Sequence, residues 1–306
     1  MKILIALPEH NYYLWQMLVQ INNLKKVGYD KDTIYVIGRT NITRNKNLDN
    51  IIKKTGSKCT FHTYKDDRNN LTYSPSLTAH LLSKLFKDYP EYENETFLYI
   101  DPDVIFKKKI RFTDLEKNNN WYLSDTRSYI NSKYIKSKGD GLLEEMCDVV
   151  GIDPKIVEEN DNNAGGAQIL LKNVNSEFWD KVENDCINLF KLMKDTESKY
   201  TPEAPIQAWT AEMWSVLWNA WLYGHETKII KRLDFCWASD PISKWENCNI
   251  FHNAGVTSSF SDEFFKKTLY QKSPFNEKLT SSKKYCSKVY VDEIKETKKN
   301  FKNILF

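Results

Sequence analysis

Apolar positions in the first third of the chain follow two alternating periods. KILIAL (2–7), TIYVIG (33–38), CTFHTY (59–64) and TFLYID (96–101) are short apolar runs bounded by polar residues or glycine, which predicts buried strands. Between them, NYYLWQMLVQINNLKKVGY (11–29) carries Leu14, Met17, Leu18, Ile21 and Leu24 at helical spacing and stops at Gly28. NLDNIIKKTG (47–56) and SPSLTAHLLSKLFKDYP (74–90) also read as helices, the second capped and stopping before Pro90. Four strands alternating with three helices predict an α/β fold, a mostly parallel central sheet flanked by helices. Ligands of such sheets bind outside the carboxyl ends of the strands.

The second half is less regular. AQILLKN (167–173) predicts a strand, SEFWDKVENDCINLFKLMKD (176–195) a long helix, and AWTAEMWSVLWNAWLYG (208–224) an aromatic-rich helix ending at Gly224. Trp209, Trp214, Trp218 and Trp221 recur there at near-helical spacing, which places them in the core. ETKIIKRLDFCWA (226–238) is strand-like, and NIFHNAG (249–255) is a short strand running into a turn. No internal repeat or Gly/Pro/Ser-rich linker interrupts the chain. The economical reading is one domain over 1–256, divided near 106, with a polar, lysine-rich C-terminal extension (257–306) that is helical.

Composition narrows the class without deciding it. A 306-residue chain with 41% hydrophobic and 13% aromatic residues is a folded globule with an ordinary core. The opening MKILIALPEHNYYLW is cut by Pro8, Glu9 and His10 and has no small-residue cleavage site, so it reads as a first strand rather than a secretion signal. The expected location is the cytoplasm, with no membrane partner. Forty-four basic against 41 acidic residues describe a mixed surface, and the clusters KKKIR (107–111) and SKYIKSK (132–138) read as solvated faces. Six cysteines without a CxxC pair read as packing residues.

The chemistry concentrates in FLYIDPDVIF (97–106). Asp101 and Asp103 close the fourth predicted strand, and the turn at Pro102 lets both carboxylates approach one divalent cation, Mg²⁺ or Mn²⁺. The plain alternative is an Asp-Pro-Asp turn. His252 in HNAG (252–255) follows another apolar strand and is a candidate third ligand, against a purely structural histidine. In NNAGGAQILL (162–171), Gly165 and Gly166 permit close backbone approach while Asn162 and Asn163 offer amides; a glycine turn is the alternative. Glu212 sits among apolar residues, where desolvation would raise its pKa toward that of a general base; a helix cap is the alternative. Lys84, Asp234 and Asp240 are weaker candidates.

Taken in order, Trp15-Gln16, DPDVIF, NNAGG, AEMWSVLW and HNAG resemble the landmarks of GT-A-fold, nucleotide-sugar-dependent glycosyltransferases. The resemblance is to the hydroxyproline O-arabinosyltransferase and peptidyl-serine galactosyltransferase families and, more distantly, to the glycogenin-type family. It spans roughly 1–256 as ordered landmarks. Asp101 stands where the plant motif has Glu, and VTSSF stands where the glycogenin-type family has Lys-Pro-Trp. The resemblance implies a GT-A (Rossmann-like) fold with a donor-binding half over about 1–106 and an acceptor half over about 107–256. It implies a metal held by Asp101, Asp103 and His252. The donor would be a nucleotide sugar, a UDP-sugar above all, contacted by Asp101, Asn163, Gly165, Gly166 and Lys84. Glu212 would face the acceptor, as base in an inverting enzyme or orienting group in a retaining one. The implied activity is hexosyl or pentosyl transfer to a hydroxyl, on a peptide or on a hydroxymethylated DNA base. Two alternatives stay open: a nucleotidyltransferase using the same aspartates, and a noncatalytic sugar-binding module that stacks sugars on its tryptophans.

Overall fold

A computed structural model of the protein describes residues 1–40, 45–201, 203–257 and 259–302. The first half runs β1 (Lys2–Pro8), α1 (Asn11–Val27), β2 (Thr33–Arg39), α2 (Lys46–Thr55), β3 (Thr60–Lys65), α3 (Ser76–Asp88), β4 (Phe97–Ile100), β5 (Val104–Phe106) and β6 (Trp121–Asp125). It continues with α4 (Ser132–Lys136), α5 (Leu142–Val150), α6 (Pro154–Glu159), β7 (Gly165–Leu171), α7 (Ser176–Asp195) and α8 (Ala211–Leu222). The last third holds β8 (Thr227–Ile229), β9 (Phe235–Trp237), α9 (Ile242–Asn247), β10 (Ile250–His252) and α10 (Ser287–Asn300). Seven strands belong to a large, mostly parallel sheet flanked by helices, and β5, β10 and β9 form a separate three-stranded sheet in that order. The expected α/β class and the C-terminal helix are both present. Among the described residues no helix is long and apolar enough to cross a membrane.

The chain divides into two compact units. One comprises Lys2–Lys65, Ile100–Phe112 and the chain from Asp234 onward. Here β1 pairs parallel with β2 (Ile3 opposite Thr33 through Pro8 opposite Gly38), and β2 pairs parallel with β3. Ile3, Leu4 and Ile5 are fully buried, consistent with a strand that covers both faces of a parallel sheet. α1 ends where Gly28 turns left-handed at φ 81° and its N–H caps the Leu24 and Lys25 carbonyls. The buried face of α1 is not purely apolar. Gln20, Asn22 and Asn23 are buried with Leu18, Ile21 and Leu24, and each spends its amide on a named partner. Asn22 and Asn23 donate to the Glu293 carboxylate of α10 at 2.8 and 3.3 Å, and Lys26 pairs with it at 2.6 Å. The lysine-rich tail therefore ends in an amphipathic helix that buries Tyr290, Val291 and Ile294.

The other unit comprises Asp66–Tyr99 and Thr113–Leu233. β6 runs antiparallel to β7 and parallel to β8, with a register shift between Leu123 and Ser124. α7 and α8 are joined by buried polar contacts: Ser215 donates to the Val182 carbonyl at 2.9 Å and Asn219 to Asp185 at 2.8 Å. Trp214, Trp218 and Trp221 are buried as the spacing predicts, but Trp209 precedes the helix and is 65% exposed.

Three further expectations are revised. ETKIIKRLDFCWA is two strands in different sheets, β8 beside β6 and β9 beside β10, because a 3₁₀ turn at Lys231–Leu233 breaks it. β7 starts two residues early, at Gly165. α3 has no side-chain cap: the Arg68 guanidinium takes the Ser74 carbonyl and the Ser76 hydroxyl instead.

Candidate metal centre

The site is built from three short segments of the first unit described. In the three-stranded sheet, His252 of β10 lies opposite Val104 of β5 and Trp237 of β9. That register sets the imidazole beside the turn that precedes β5. The turn closes through a Val104 N–H to Asp101 carbonyl bond of 3.3 Å, and the Asn253 N–H donates to the Asp103 carbonyl at 3.2 Å. From the other side, buried Gln20 of α1 donates to the carbonyls of Asp101 and Val104 at 2.8 and 3.0 Å. Asn23 clamps Phe106 at both its N–H and its carbonyl, at 2.7 and 3.0 Å. The backbone carrying both aspartates is thus held by amides buried in a helix.

With the backbone fixed, the side chains converge. His252 Nε2 lies 3.3 Å from Asp101 Oδ2 and 3.3 Å from Asp103 Oδ1. One ligand atom from each residue falls within 4.8 Å of the other two. Asp101 is 57% exposed at its side chain, while those of Asp103 and His252 are buried. The cluster therefore has one open edge. Trp237 stacks on the His252 ring at 5.8 Å and 18°, fixing its orientation.

Electrostatics follow from burial. Burial opposes charge on Asp103, but Lys267 and His252 overcome it and hold the carboxyl well below the usual range. Burial likewise disfavours imidazolium, yet Asp103 and Asp101 push His252 up to about 9. Lys267, whose Nζ lies 2.5 Å from Asp103 Oδ2, is raised by the same carboxylate against its own desolvation.

Two carboxylates and an imidazole suit Mn²⁺ or Mg²⁺. The buried Asn253 side-chain nitrogen, with no hydrogen-bond partner among the described residues, adds an unmet donor next in sequence to His252. A donor of that kind fits an oxygen-rich ligand. The two carboxylates and the imidazole fit a divalent cation.

Glu212, Lys84, Asn163, Gly165 and Gly166 lie in the other unit. Glu212, in the first turn of α8 and half-buried, accepts from the Tyr99 hydroxyl at 2.8 Å, and its N–H donates to the Tyr73 hydroxyl at 3.0 Å. Lys84 and His80 both pair with Asp67. The Asn163 carbonyl accepts from Thr227 at 3.0 Å, and Asn162 is exposed. A Cβ on Gly165 would meet the Ser124 carbonyl at 2.4 Å, and one on Gly166 would meet Met213 at 2.9 Å. Backbone packing thus accounts for Gly165, whereas at Gly166 only the mobile end of the Met213 side chain would have to shift. Asp240 accepts from the Trp237 N–H and Lys244, each at 2.7 Å, and orders a turn. His10 caps α1, and His225 stacks on Trp121. All six cysteine thiols are buried.

Sequence reasoning missed Gln20, Asn23 and Lys267. The first two had a signal, amides three residues apart on the apolar face of a helix, where burial demands a partner. Lys267 had none, being one of many lysines in a polar tail. The VTSSF stretch (256–260) includes Ser258, which lies outside the described residues.

Fold and cluster together define an α/β protein with a carboxylate–imidazole centre suited to a hard divalent cation. No family model matches the chain, and no curated protein matches it. Solved structures do. The apo structure of the bifunctional glycosyltransferase WbbM is similar at TM-score 0.52 and 10% identity, over 96% of this chain and 49% of that one. The galactosyltransferase LgtC, in complex with donor and acceptor sugar analogues, is similar at TM-score 0.50 and 12% identity over 100% of both chains. The chain thus spans about half the length of WbbM and all of LgtC. It shares the fold of these glycosyltransferases.

Proposed function

We propose that the protein is a metal-dependent glycosyltransferase that moves a hexosyl or pentosyl group from a nucleotide diphosphate sugar, a UDP-sugar, to an acceptor hydroxyl. The observation that carries this reading is the convergence of Asp101, Asp103 and His252 in a chain sharing the fold of known glycosyltransferases. A cation held by those three residues would neutralise charge developing on the leaving diphosphate. Asp103 and His252, being buried, fix the ligand geometry, while exposed Asp101 faces the side from which a donor arrives. Lys84, Asn163, Gly165 and Gly166 are assigned to donor binding. Glu212, oriented by Tyr99, is assigned to the acceptor: as base if configuration inverts, as orienting group if it is retained.

A peptide hydroxyl is the favoured acceptor over a hydroxymethylated DNA base. Lys107 and Lys109 spend their ammonium groups on the carbonyls of Trp245, Glu246 and Gly28. Lys136 pairs with Glu158, and Lys138 donates to the Ala204 carbonyl at 2.8 Å. Four cationic side chains of the two basic clusters are thus engaged within the protein. The test is a thermal-shift screen of nucleotide sugars with and without Mn²⁺, followed by product analysis. Stabilisation by a UDP-sugar only when Mn²⁺ is present, with release of UDP, supports the reading. Release of pyrophosphate would indicate a nucleotidyltransferase, and glycan binding without any nucleotide response a sugar-binding module.

A further inference from the structure

Lys267 is the one member of the charged cluster that the proposed function leaves without a task. It comes from a 3₁₀ turn at Lys267–Leu269, within the polar tail. That segment is anchored on both sides: the Phe265 N–H donates to the Ser287 hydroxyl at 2.7 Å, and Trp15 Nε1 donates to the Tyr270 carbonyl at 2.9 Å. Phe265 and Tyr270 stack at 5.1 Å. A long, entropically costly side chain is thus delivered to a defined place, with its ammonium 2.5 Å from Asp103 Oδ2.

Asp103 has two oxygens, and both are engaged: Oδ1 faces His252 at 3.3 Å and Oδ2 holds Lys267. A divalent cation that bound Asp103 through Oδ2 would meet the ammonium there. Charge counting gives the consequence. With the imidazole neutral, as a metal ligand must be, two aspartates and one lysine sum to one negative charge; a divalent cation turns that into one positive charge beside a buried carboxylate. Such a surplus is costly without an anion to meet it.

We propose that Lys267 is a positioning residue that competes with the divalent cation for Asp103 and, when the cation binds, turns to the diphosphate of the incoming donor. Resting on the metal-dependent reading above, this makes cation and nucleotide bind synergistically: each is weak alone, and together they satisfy the lysine. The coupling is reciprocal, so Mn²⁺ tightens nucleotide binding by the factor by which nucleotide tightens Mn²⁺.

The test is Mn²⁺ titration followed by electron paramagnetic resonance on the full chain, with and without UDP, for the wild type, Lys267→Met and Lys267→Arg. Without UDP, Lys267→Met is expected to bind Mn²⁺ about tenfold tighter than the wild type, the effect of removing one charge at close range. With UDP that advantage disappears, and Lys267→Arg behaves as the wild type throughout. Equal or weaker Mn²⁺ binding by Lys267→Met without UDP overturns the proposal, because a merely structural lysine predicts that loss. An advantage that persists unchanged with UDP overturns the transfer to the diphosphate. Should no protein bind Mn²⁺, the metal-dependent reading itself fails and takes this one with it. Lysine footprinting of the wild type covers the case of a variant that does not fold. Mn²⁺ should expose Lys267 to acylation and UDP should protect it again; a reactivity indifferent to Mn²⁺ refutes the competition.

Discussion

Replacing Gln20 by methionine isolates what holds the aspartate turn in place. The side chain is fully buried and keeps its volume in the variant, so no large cavity opens. Three polar groups lose a partner: the carbonyls of Asp101 and Val104, at 2.8 and 3.0 Å, and the Tyr35 hydroxyl, which donates to Gln20 Oε1 at 3.1 Å. A buried group left unpaired costs about 1–3 kcal/mol. The Asp101 carbonyl keeps the Val104 N–H at 3.3 Å, which discounts its share. Counting the Val104 carbonyl and the Tyr35 hydroxyl, the sum is about 2–6 kcal/mol, and at about 2–4 °C per kcal/mol the melting temperature falls by roughly 4–24 °C. Urea and thermal unfolding of Gln20→Met measure this directly, and Mn²⁺ affinity should fall with it because the ligand-bearing turn loosens. A variant within about 0.5 kcal/mol of the wild type, the range of an inconsequential surface change, would refute the claim that α1 positions the metal turn.

Trp218→Ala should cost about 3–5 kcal/mol as a buried large-to-small change, whereas Trp209→Ala, at a 65% exposed position, should leave the urea midpoint nearly unchanged. Hydrogen bonding to Glu183 is the main influence raising His80, helped by Asp67 and opposed by burial. Its contribution to stability is therefore full below the unfolded value near 6.5 and is lost as pH rises through the higher folded value; comparing wild type with Glu183→Gln at pH 6 and 8 should show the variant losing less stability over that interval. Glu212→Ala should lower transfer by about 10²–10⁴-fold if the residue is a base, with Mn²⁺ and UDP affinities unchanged; a lowered UDP affinity would move Glu212 from acceptor to donor.

Local pattern carried far in the first half of the chain. Apolar runs at 2–7 and 33–38 are strands because a parallel sheet buries both faces, and Gly28 ends α1 because its backbone turns left-handed. The aspartates and His252 were legible as candidates, since carboxylates closing an apolar strand need a reason to be there. What pattern could not supply was partnership over distance. β8 and β9 read as one strand because their assignment to different sheets is decided by β6 and β10, far away in sequence. Trp209 matched the helical spacing of its neighbours, yet α8 begins two residues later. Lys267 reaches Asp103 across 164 residues, and nothing in a lysine-rich tail marks one lysine from another. Gly165 and Gly166 show the reverse limit. A motif with a functional reading also meets a steric demand, here at Gly165 from the Ser124 carbonyl.

Anomalous diffraction from crystals grown with Mn²⁺ and UDP locates the ion itself. A single strong manganese peak is expected within bonding distance of Asp101, Asp103 and His252, with the diphosphate on its open side. A peak elsewhere, or UDP bound with no ion among those three side chains, would contradict it.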